Sequence, residues 1–344
     1  MPIEYSTYTL TFGGDVKLDQ INEILAVRGH GRPLDTPRTV GNRLVATVPG
    51  GDAATVRDRI VEAGAAGDVQ CVPLLQNGTM DLAGRDIPHA AFGAAETDPA
   101  VAPDRPPWEP QPAGTRRPVI ALLDTGVRAH EWLPETPADD PFLLDAADPS
   151  LPEPWDPPST RATGNDQHAG HATFIAGLIR MAAPTARVLS VRVMGHDGRI
   201  EESDVIEALT WLREKYRSAE RPVDVVCMAF GRRPGDTGDE PTLAALKDAV
   251  EAVAADGVRL VASAGNTGNY DQTFPAAWGV VTAVGAGTDR DHPAKFSARG
   301  PWVDEFRPGE DVLSILPENR WARWKGTSFA AATFAGERAR SYVD

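Results

Sequence analysis

The chain has 344 residues, 42% of them hydrophobic, and a formal charge of -15 at pH 7. This length can bury one large core and a second small one. The acidic charge argues against a nucleic-acid partner, because binding to phosphates depends on clustered Lys and Arg. We expect no membrane association, because no window approaches the roughly 18 apolar residues that span a bilayer.

Two sequence features predict a cytoplasmic protein. The N-terminus lacks a cationic stretch followed by an apolar run, so no export signal is visible. Cys71 and Cys227 are the only cysteines, and each lies inside an apolar, strand-like run. We interpret them as buried free thiols rather than as a disulfide framework.

Residues 1–76 predict a small α+β domain with elements in the order β-α-β-α-β. Alternating or apolar runs indicate strands, and apolar residues at helical spacing indicate the helices between them. The strands are predicted at 7–12, 42–48 and 69–75, and the helices at about 18–25 and 52–64.

The next segment, 77–117, is rich in proline and has little periodicity, which is typical of an exposed linker. From 118 to 344 apolar strands alternate with amphipathic helices. The strands are predicted within 119–126, 187–194, 223–231, 258–266 and 279–286, and the helices within 172–182, 202–216 and 243–256. Runs such as Val223–Ala229 and Val258–Ala264 are apolar throughout, as expected of parallel strands covered by helices on both faces. We therefore predict a three-layer α/β domain with a mainly parallel sheet. A proline- and acid-rich stretch, 134–166, is predicted to be a surface insertion.

Two polar residues in this domain are candidates for proton transfer. Asp124 directly follows the strand VIALL, so its carboxylate is expected at the carboxyl edge of the sheet. His171 opens the run HATFIAG, whose small residues suit a closely packed, buried helix. Taken alone, the aspartate could be a turn residue and the histidine a core residue. His168 and His171 also resemble an HxxH metal pair, but no third ligand follows at helical spacing, so zinc is disfavoured.

Two further residues supply the remaining parts of an acyl-transfer site. Asn266 ends an apolar strand between glycines, and its amide could donate to an oxyanion, although Asn also favours turns there. Ser328 begins a helix, where it could be a nucleophile or only an N-cap. The order Asp, His, Asn, Ser on edges of one α/β domain is more demanding than any single motif, and Asp-His-Ser is the order found in subtilisin.

The residues around these four positions resemble the subtilases over roughly 117–344. The resemblance implies a subtilisin-like fold with a catalytic triad of Asp124, His171 and Ser328, and with Asn266 and the Ser328 backbone N–H as oxyanion donors. The blocks that carry it are ALLDTGV, GHATFIAG, VVCMAFG, SAGN, FPAAWGVVTAVGA, FSARGPWVDEFRPGEDVLS and GTSFAAATFAG.

The same resemblance extends to substrate, partner and cofactor. It implies a peptide or protein substrate whose backbone pairs with Met228, Ala229, Phe230 and Gly231, although Met228 could equally be a core residue. By its element order and position, the N-terminal domain looks like the ferredoxin-like inhibitor-chaperone prodomain of subtilases. No cofactor is required for the chemistry, and a structural calcium ion is possible, but no metal ligands can be named.

Several positions depart from the family pattern. Ala172, Phe174, Ala229 and Ala332 stand where Gly, His, Ser and Pro are usual. The chain also ends soon after Ser328, without the helices and strand that normally follow, so we expect a need for compensating contacts.

The alternative to a protease is a catalytically silent module that keeps the fold for binding. GxSxG, Walker A and GxGxxG motifs are absent, which disfavours other enzyme classes.

Overall fold

A computed structural model gives the fold of most of the C-terminal two thirds of the chain. It describes residues 116–133, 142–147, 154–155, 170–195, 198, 200, 202–216, 222–233 and 240–342, the single residues 104 and 106, and the backbone of five strands that precede position 97.

Four of the N-terminal strands form an antiparallel sheet. In the sheet order β2-β3-β1-β4, the first strand lies between the third and the fourth, as in a ferredoxin-like β-α-β-β-α-β unit. The five strands are β1 (Thr7–Gly13), β2 (Asp35–Val40), β3 (Arg43–Pro49), β4 (Val69–Leu74) and β5 (Ala95–Glu96). The three strands predicted here are confirmed, whereas the two predicted helices lie outside the described residues.

The strand β2 was not predicted. Its sequence, DTPRTV, contains proline and lacks an apolar run. The structure accommodates it at the edge of the sheet, with a shift of register between Asp35 and Arg38, where Pro37 lies. An edge strand tolerates a proline because one row of its backbone N–H groups has no partner strand.

The C-terminal domain is built on a seven-stranded sheet in which every pairing is parallel, as predicted. Its strand order is β12-β11-β10-β9-β6-β8-β7. The strands are β6 (Val119–Asp124), β7 (Leu143–Asp145), β8 (Arg187–Arg192), β9 (Val225–Met228), β10 (Arg259–Ser263), β11 (Val281–Ala286) and β12 (Glu305–Arg307).

Four helices cover this sheet on both faces, which confirms the three-layer prediction. One face of β6, with Val119, Ala121 and Leu123, packs into the same core as the helices 202–216 and 240–255. The opposite face, with Ile120 and Leu122, packs into the core shared with the helices 171–182 and 327–340. The helices are α1 (His171–Ala182), α2 (Glu202–Tyr216), α3 (Glu240–Ala255) and α4 (Thr327–Arg340). Because both faces of each central strand are buried, the strands are apolar throughout rather than alternating.

The helices α1 and α4 approach each other closely because small residues line their contact. A Cβ atom added at Gly336 would lie 2.7 Å from the Cβ of Ala182. Ala172, Ala176 and Gly177 are likewise buried on α1, as their spacing predicted. A larger side chain at Gly336 would push apart the two helices that carry His171 and Ser328, whereas one at Gly177 would meet Ser314 and Ile315 in the strand 312–316.

Part of the predicted surface insertion belongs to the fold instead. Residues 142–147 of the segment 134–166 form β7 and its flanks, and Phe142 is completely buried. The strand pairs in parallel with β8 at the edge of the sheet. The prediction of a surface loop is therefore wrong for these residues, because a strand of three residues is too short to show periodicity.

A hairpin of two further strands, β13 (Val312–Leu316) and β14 (Arg320–Trp324), lies directly before α4. Glu318 and Asn319 in its turn both have positive φ angles, as hairpin turns often require. The linker strand β5 pairs antiparallel with β14, so the hairpin becomes a three-stranded sheet.

Two expectations concern features of the whole domain. In the described part of the chain, no helix has the length and apolar character needed to cross a membrane. Cys227 is a buried free thiol, as predicted, and its burial raises the pKa of the thiol. The side chain of Cys71 lies outside the described residues.

A buried histidine, His130, is expected to make the stability of this fold depend on pH. His130 is 5% exposed and packs edge-on against Trp132 and Trp321. Its Nδ1 accepts a hydrogen bond of 3.0 Å from the backbone N–H of Trp132, so this nitrogen carries no proton. Burial lowers the pKa of His130, because the charged form is poorly solvated there.

We expect His130 to destabilise the fold as the pH decreases. Its pKa is lower in the folded than in the unfolded state, so the unfolded chain takes up the proton first, below about pH 6.5. Stability is therefore complete above that pH and declines below it. Replacing His130 with Asn keeps an acceptor for the Trp132 N–H but removes the titration. The fall in Tm between pH 7.5 and 5.5 should be smaller in this variant, and an equal fall would contradict the assignment.

Candidate active site

The four residues singled out in the sequence lie at one edge of the parallel sheet. Asp124 is the last residue of β6, and Asn266 follows the end of β10. His171 is the first residue of α1 and Ser328 the second residue of α4. All strands run in the same direction, so their carboxyl ends share this edge, where such folds form their sites.

Asp124 and His171 form a buried hydrogen-bonded pair. Both carboxylate oxygens lie 2.9 Å from Nδ1 of the imidazole, and the two residues are 0% and 2% exposed. The backbone N–H of Thr125 donates a hydrogen bond of 2.7 Å to Oδ1 of Asp124. A carboxylate held in this way keeps the proton of a neutral histidine on Nδ1, so Nε2 is the basic nitrogen.

Thr125 joins this pair to the first helix. Its hydroxyl lies 3.2 Å from Oδ1 of Asp124 and accepts a hydrogen bond of 3.2 Å from the backbone N–H of Ala172. One threonine thus contacts both the carboxylate and the first turn of the helix that begins with His171. This contact maintains the separation of the aspartate and the histidine.

Aromatic rings surround His171. The ring of Trp324 meets the imidazole edge-on with a centroid distance of 5.8 Å, and Phe329 lies at 5.6 Å. Phe174 packs on both of these rings, at 5.5 Å and 4.6 Å. The phenylalanine that replaces the usual histidine at position 174 is therefore a structural part of the apolar wall beside His171.

Ser328 lies at the N-terminus of α4. Its hydroxyl donates a hydrogen bond of 3.0 Å to the backbone carbonyl of Ala229, and among the described contacts none joins this hydroxyl to His171. The backbone N–H of Ser328 belongs to the first turn, whose N–H groups have no acceptor within the helix. The positive end of the helix dipole also favours negative charge at this point.

The amide of Asn266 is oriented by Thr327. Its Oδ1 accepts hydrogen bonds from the backbone N–H of Thr327 at 2.8 Å and from the hydroxyl of that residue at 3.0 Å. Because the oxygen faces Thr327, the NH₂ group points to the opposite side of the amide. Gly265 has a φ of +102°, a conformation that residues with a side chain rarely adopt, and this turn places Asn266 beside Thr327, the residue before Ser328.

The predicted substrate-pairing segment begins at Met228, the last residue of β9, and is buried. Met228, Ala229 and Phe230 are each 0% exposed. Met228 and Phe230 pack into the core formed with α2 and α3, so their side chains are core residues. Ala229 lies in the other core, and its carbonyl accepts the hydrogen bond from Ser328.

The residues of the site that were not predicted include Thr125, Thr327 and Trp324. Thr125 and Thr327 each adjoin a predicted residue, in the runs DTG and GTS, and a hydrogen-bonding side chain beside a candidate catalytic residue was a usable signal. Trp324 reaches His171 only through the β13–β14 hairpin. Nothing in its local sequence indicated that contact.

No metal site accompanies these groups in the part of the chain that the structure describes. That part contains no group of three or more His, Cys, Asp or Glu side chains that could hold a metal ion. His168 of the HxxH pair lies outside it.

Comparison with known proteins identifies relatives of this domain. The family model described as "Subtilase family" matches residues 115–342. The thermophilic serine proteinase of Bacillus sp. (strain AK1) is 34% identical over 48% of this chain and 37% of its own length. The major intracellular serine protease of Bacillus subtilis (strain 168) is 31% identical over 51% of this chain and 56% of its own length.

A solved structure supports the same relationship. A cold-adapted subtilisin-like serine proteinase superposes with a TM-score of 0.51 and 25% identity, covering 65% of this chain and 75% of that protein. The chain thus matches about a third to three quarters of the length of these three relatives.

Proposed function

Because this chain belongs to the subtilase family of serine proteases, we propose that it is an endopeptidase that hydrolyses peptide bonds in proteins or peptides. The observation that carries the proposal is the buried pair of His171 and Asp124, in which Nδ1 lies 2.9 Å from both carboxylate oxygens. The pair lies at the same sheet edge as Ser328 and Asn266. These are the parts that acyl transfer from an unactivated amide requires.

In the proposed reaction the Ser328 hydroxyl leaves the carbonyl of Ala229 and turns toward Nε2 of His171. As Oγ bonds to the substrate carbonyl carbon, its proton passes to Nε2, and Asp124 stabilises the imidazolium. The amide of Asn266 and the backbone N–H of Ser328 donate to the oxyanion. His171 then protonates the leaving amine as the C–N bond breaks, and a water molecule hydrolyses the acyl-enzyme by the same steps. No cofactor takes part.

The substrate is proposed to bind as an added strand. Extended peptides pair with exposed backbone through alternating hydrogen bonds. Of the predicted segment, residues 229–231 are the proposed partner, because Met228 already pairs with β6 and β10 inside the sheet. They would act through their backbone, since Phe230 buries its side chain in the core. Ala229 then lies next to the scissile bond.

We further propose that the N-terminal domain is an intramolecular inhibitor or folding aid. Two contacts support a close association: β4 lies against α3 and β2 against α2. The linker strand β5 pairs with β14, in which Arg323 faces Ala95. The next residue of β14, Trp324, packs on His171. The linker therefore passes close to the reacting groups.

One mass-spectrometry experiment tests both proposals. The full-length protein is incubated with a fluorophosphonate, which reacts with activated serines, and its intact mass is then measured. We expect one adduct at Ser328, because His171 makes this hydroxyl nucleophilic. A catalytically silent module would give no adduct under any condition tested.

The matched control is Ser328→Ala, treated identically. If the linker is self-cleaved, incubation without the reagent should shorten the native chain within 77–117, while the variant keeps its full mass. Persistence of the full-length chain in both proteins, with labelling of the native one, would reject a maturation role for the N-terminal domain. It would leave the protease assignment standing.

A cytoplasmic location is proposed on the strength of one relative. The Bacillus subtilis enzyme is named an intracellular protease, and it is 31% identical over half of this chain. Fractionation of the native source, with an antibody against this chain, would test this location.

A further inference from the structure

The segment proposed to pair with the substrate, residues 229–231, lies beyond the paired part of the sheet. Strand β9 pairs with both of its neighbours only as far as Met228, which lies opposite Leu123 of β6 and Ala262 of β10. The three residues that follow form the edge to which an extended peptide can add. Because no strand lies beside this edge, it needs another support to keep a fixed position.

Arg232 supplies that support at the far end of the segment. Its backbone N–H donates a hydrogen bond of 2.8 Å to the carbonyl of Phe274, and its carbonyl accepts one of 2.7 Å from the N–H of Phe274. At Gly231 the chain lies so close to Thr273 that an added Cβ atom would collide with the threonine side chain. The segment is thus held by the sheet at one end and by Phe274 at the other.

The side chain of Arg232 connects the same point to helix α2. Its guanidinium forms an ion pair with the carboxylate of Glu202, the first residue of α2, and the two side chains are only 6% and 2% exposed. The N-terminus of a helix also favours a negative charge. Val205 and Leu209 bury the same helix in the core. The ion pair therefore joins the end of the substrate-pairing edge to an element that the core holds in place.

The burial of this ion pair argues for a geometric role. Two charges lose their hydration when they are buried, so an apolar pair of similar volume often stabilises a fold as well or better. Stability is therefore a weak reason for the ion pair. An ion pair is also directional, because the planar guanidinium binds a carboxylate in a defined arrangement. At Arg232 this direction determines where the backbone of the preceding three residues lies.

We propose that Glu202 and Arg232 are positioning residues, which fix the substrate-pairing edge 229–231 relative to Ser328. Ala229 links this edge to the serine, since its carbonyl accepts the hydrogen bond of 3.0 Å from the Ser328 hydroxyl. A fixed edge aligns an extended peptide so that its scissile carbonyl lies at the serine. The inference rests on the proposed function of Ser328. It applies to extended substrates, because a substrate of one residue makes little use of the edge.

The test compares two p-nitrophenyl esters that end in the same residue. One contains a single N-acetylated residue and the other a tetrapeptide, and kcat/KM is measured for each with the full-length protein. In the double variant Glu202→Leu with Arg232→Met, no charge of the pair remains buried, so the fold should persist. We expect kcat/KM to fall roughly tenfold for the tetrapeptide ester, about the value of one hydrogen bond, and to stay within about twofold for the other ester.

Arg213 and Asp256 provide the matched control. They form an ion pair of 2.6 Å near the other end of α2, far along the helix from Glu202. Arg213→Met with Asp256→Asn should leave the ratio of the two kcat/KM values unchanged. If the apolar double variant folds poorly, Glu202→Asp retains both charges but withdraws the carboxylate by one methylene group. This variant should lower the ratio in the same direction.

The ratio of the two kcat/KM values separates positioning from a merely structural role. A loss confined to the tetrapeptide ester supports the inference. An unchanged ratio in a folded Glu202 variant, or an equal loss on both esters, would overturn it, because a structural defect affects the two substrates alike. If the native protein hydrolyses neither ester and the fluorophosphonate never labels Ser328, the proposed function fails, and the inference fails with it.

Discussion

Replacing Ser328 with Ala is expected to lower kcat by about 10⁶, the loss known for the catalytic serine of subtilisin. The alanine has no oxygen to form the acyl-enzyme, so only binding and the oxyanion donors remain. KM for a peptide substrate should change little, because the lost contact is made in the transition state. The measurement is steady-state hydrolysis of a peptide with a chromogenic leaving group.

His171→Ala should cause a loss of similar size, and the double variant should lose no more than either single one. The serine and the histidine act as a unit, since each is useless for proton transfer without the other. Unfolding curves should confirm that each variant still folds. A double variant that is slower than both single variants by a further factor of about 10³ or more would mean that the two residues act independently.

Removal of the Asn266 amide is the second large expected effect. Asn266→Leu keeps the approximate size of the side chain but removes the donor to the oxyanion. We expect kcat to fall by about 10²–10³, the range found for the equivalent donor in subtilisin, with little change in KM. A loss of less than tenfold would reject the oxyanion role.

Thr327→Val serves as the matched control for Asn266. This change removes the hydroxyl that lies 3.0 Å from Oδ1 of Asn266 and accepts a hydrogen bond of 3.1 Å from the backbone N–H of Gly265. It leaves the backbone hydrogen bond of 2.8 Å to Oδ1. The amide stays in place with one support fewer, so the loss in kcat should be roughly tenfold or less. If Thr327→Val equalled Asn266→Leu, orientation of the amide rather than its presence would dominate catalysis.

The large sheet could be predicted because of how it is buried. Five of its seven strands and all four covering helices follow from apolar runs and helical spacing, since helices on both faces leave a strong local pattern. The strands that were missed, β7 and β12, have three residues each. A segment so short shows no period, and only its pairing with a long neighbour makes it a strand.

The location of the proposed reacting groups could also be predicted from the sequence. Asp124 and Asn266 follow the ends of strands, and His171 and Ser328 begin helices, so the order of elements alone brought them to one edge. Chemistry limited the choice further, because a nucleophile, a base, an acid and an oxyanion donor are all needed. The structure places Asp124 and His171 in direct contact, at 2.9 Å.

What only the tertiary structure decided is how the site is enclosed. Trp324 comes from a hairpin and packs on His171, and Thr273 stands between Gly231 and Gly265, which are far apart in the sequence. Neither position carries a local signal, because both contacts arise from chain segments that meet only after folding. The sequence by itself therefore determined the family and the residues proposed to react. The surroundings of Ser328 and His171 depend on close packing between distant segments, which no local pattern records.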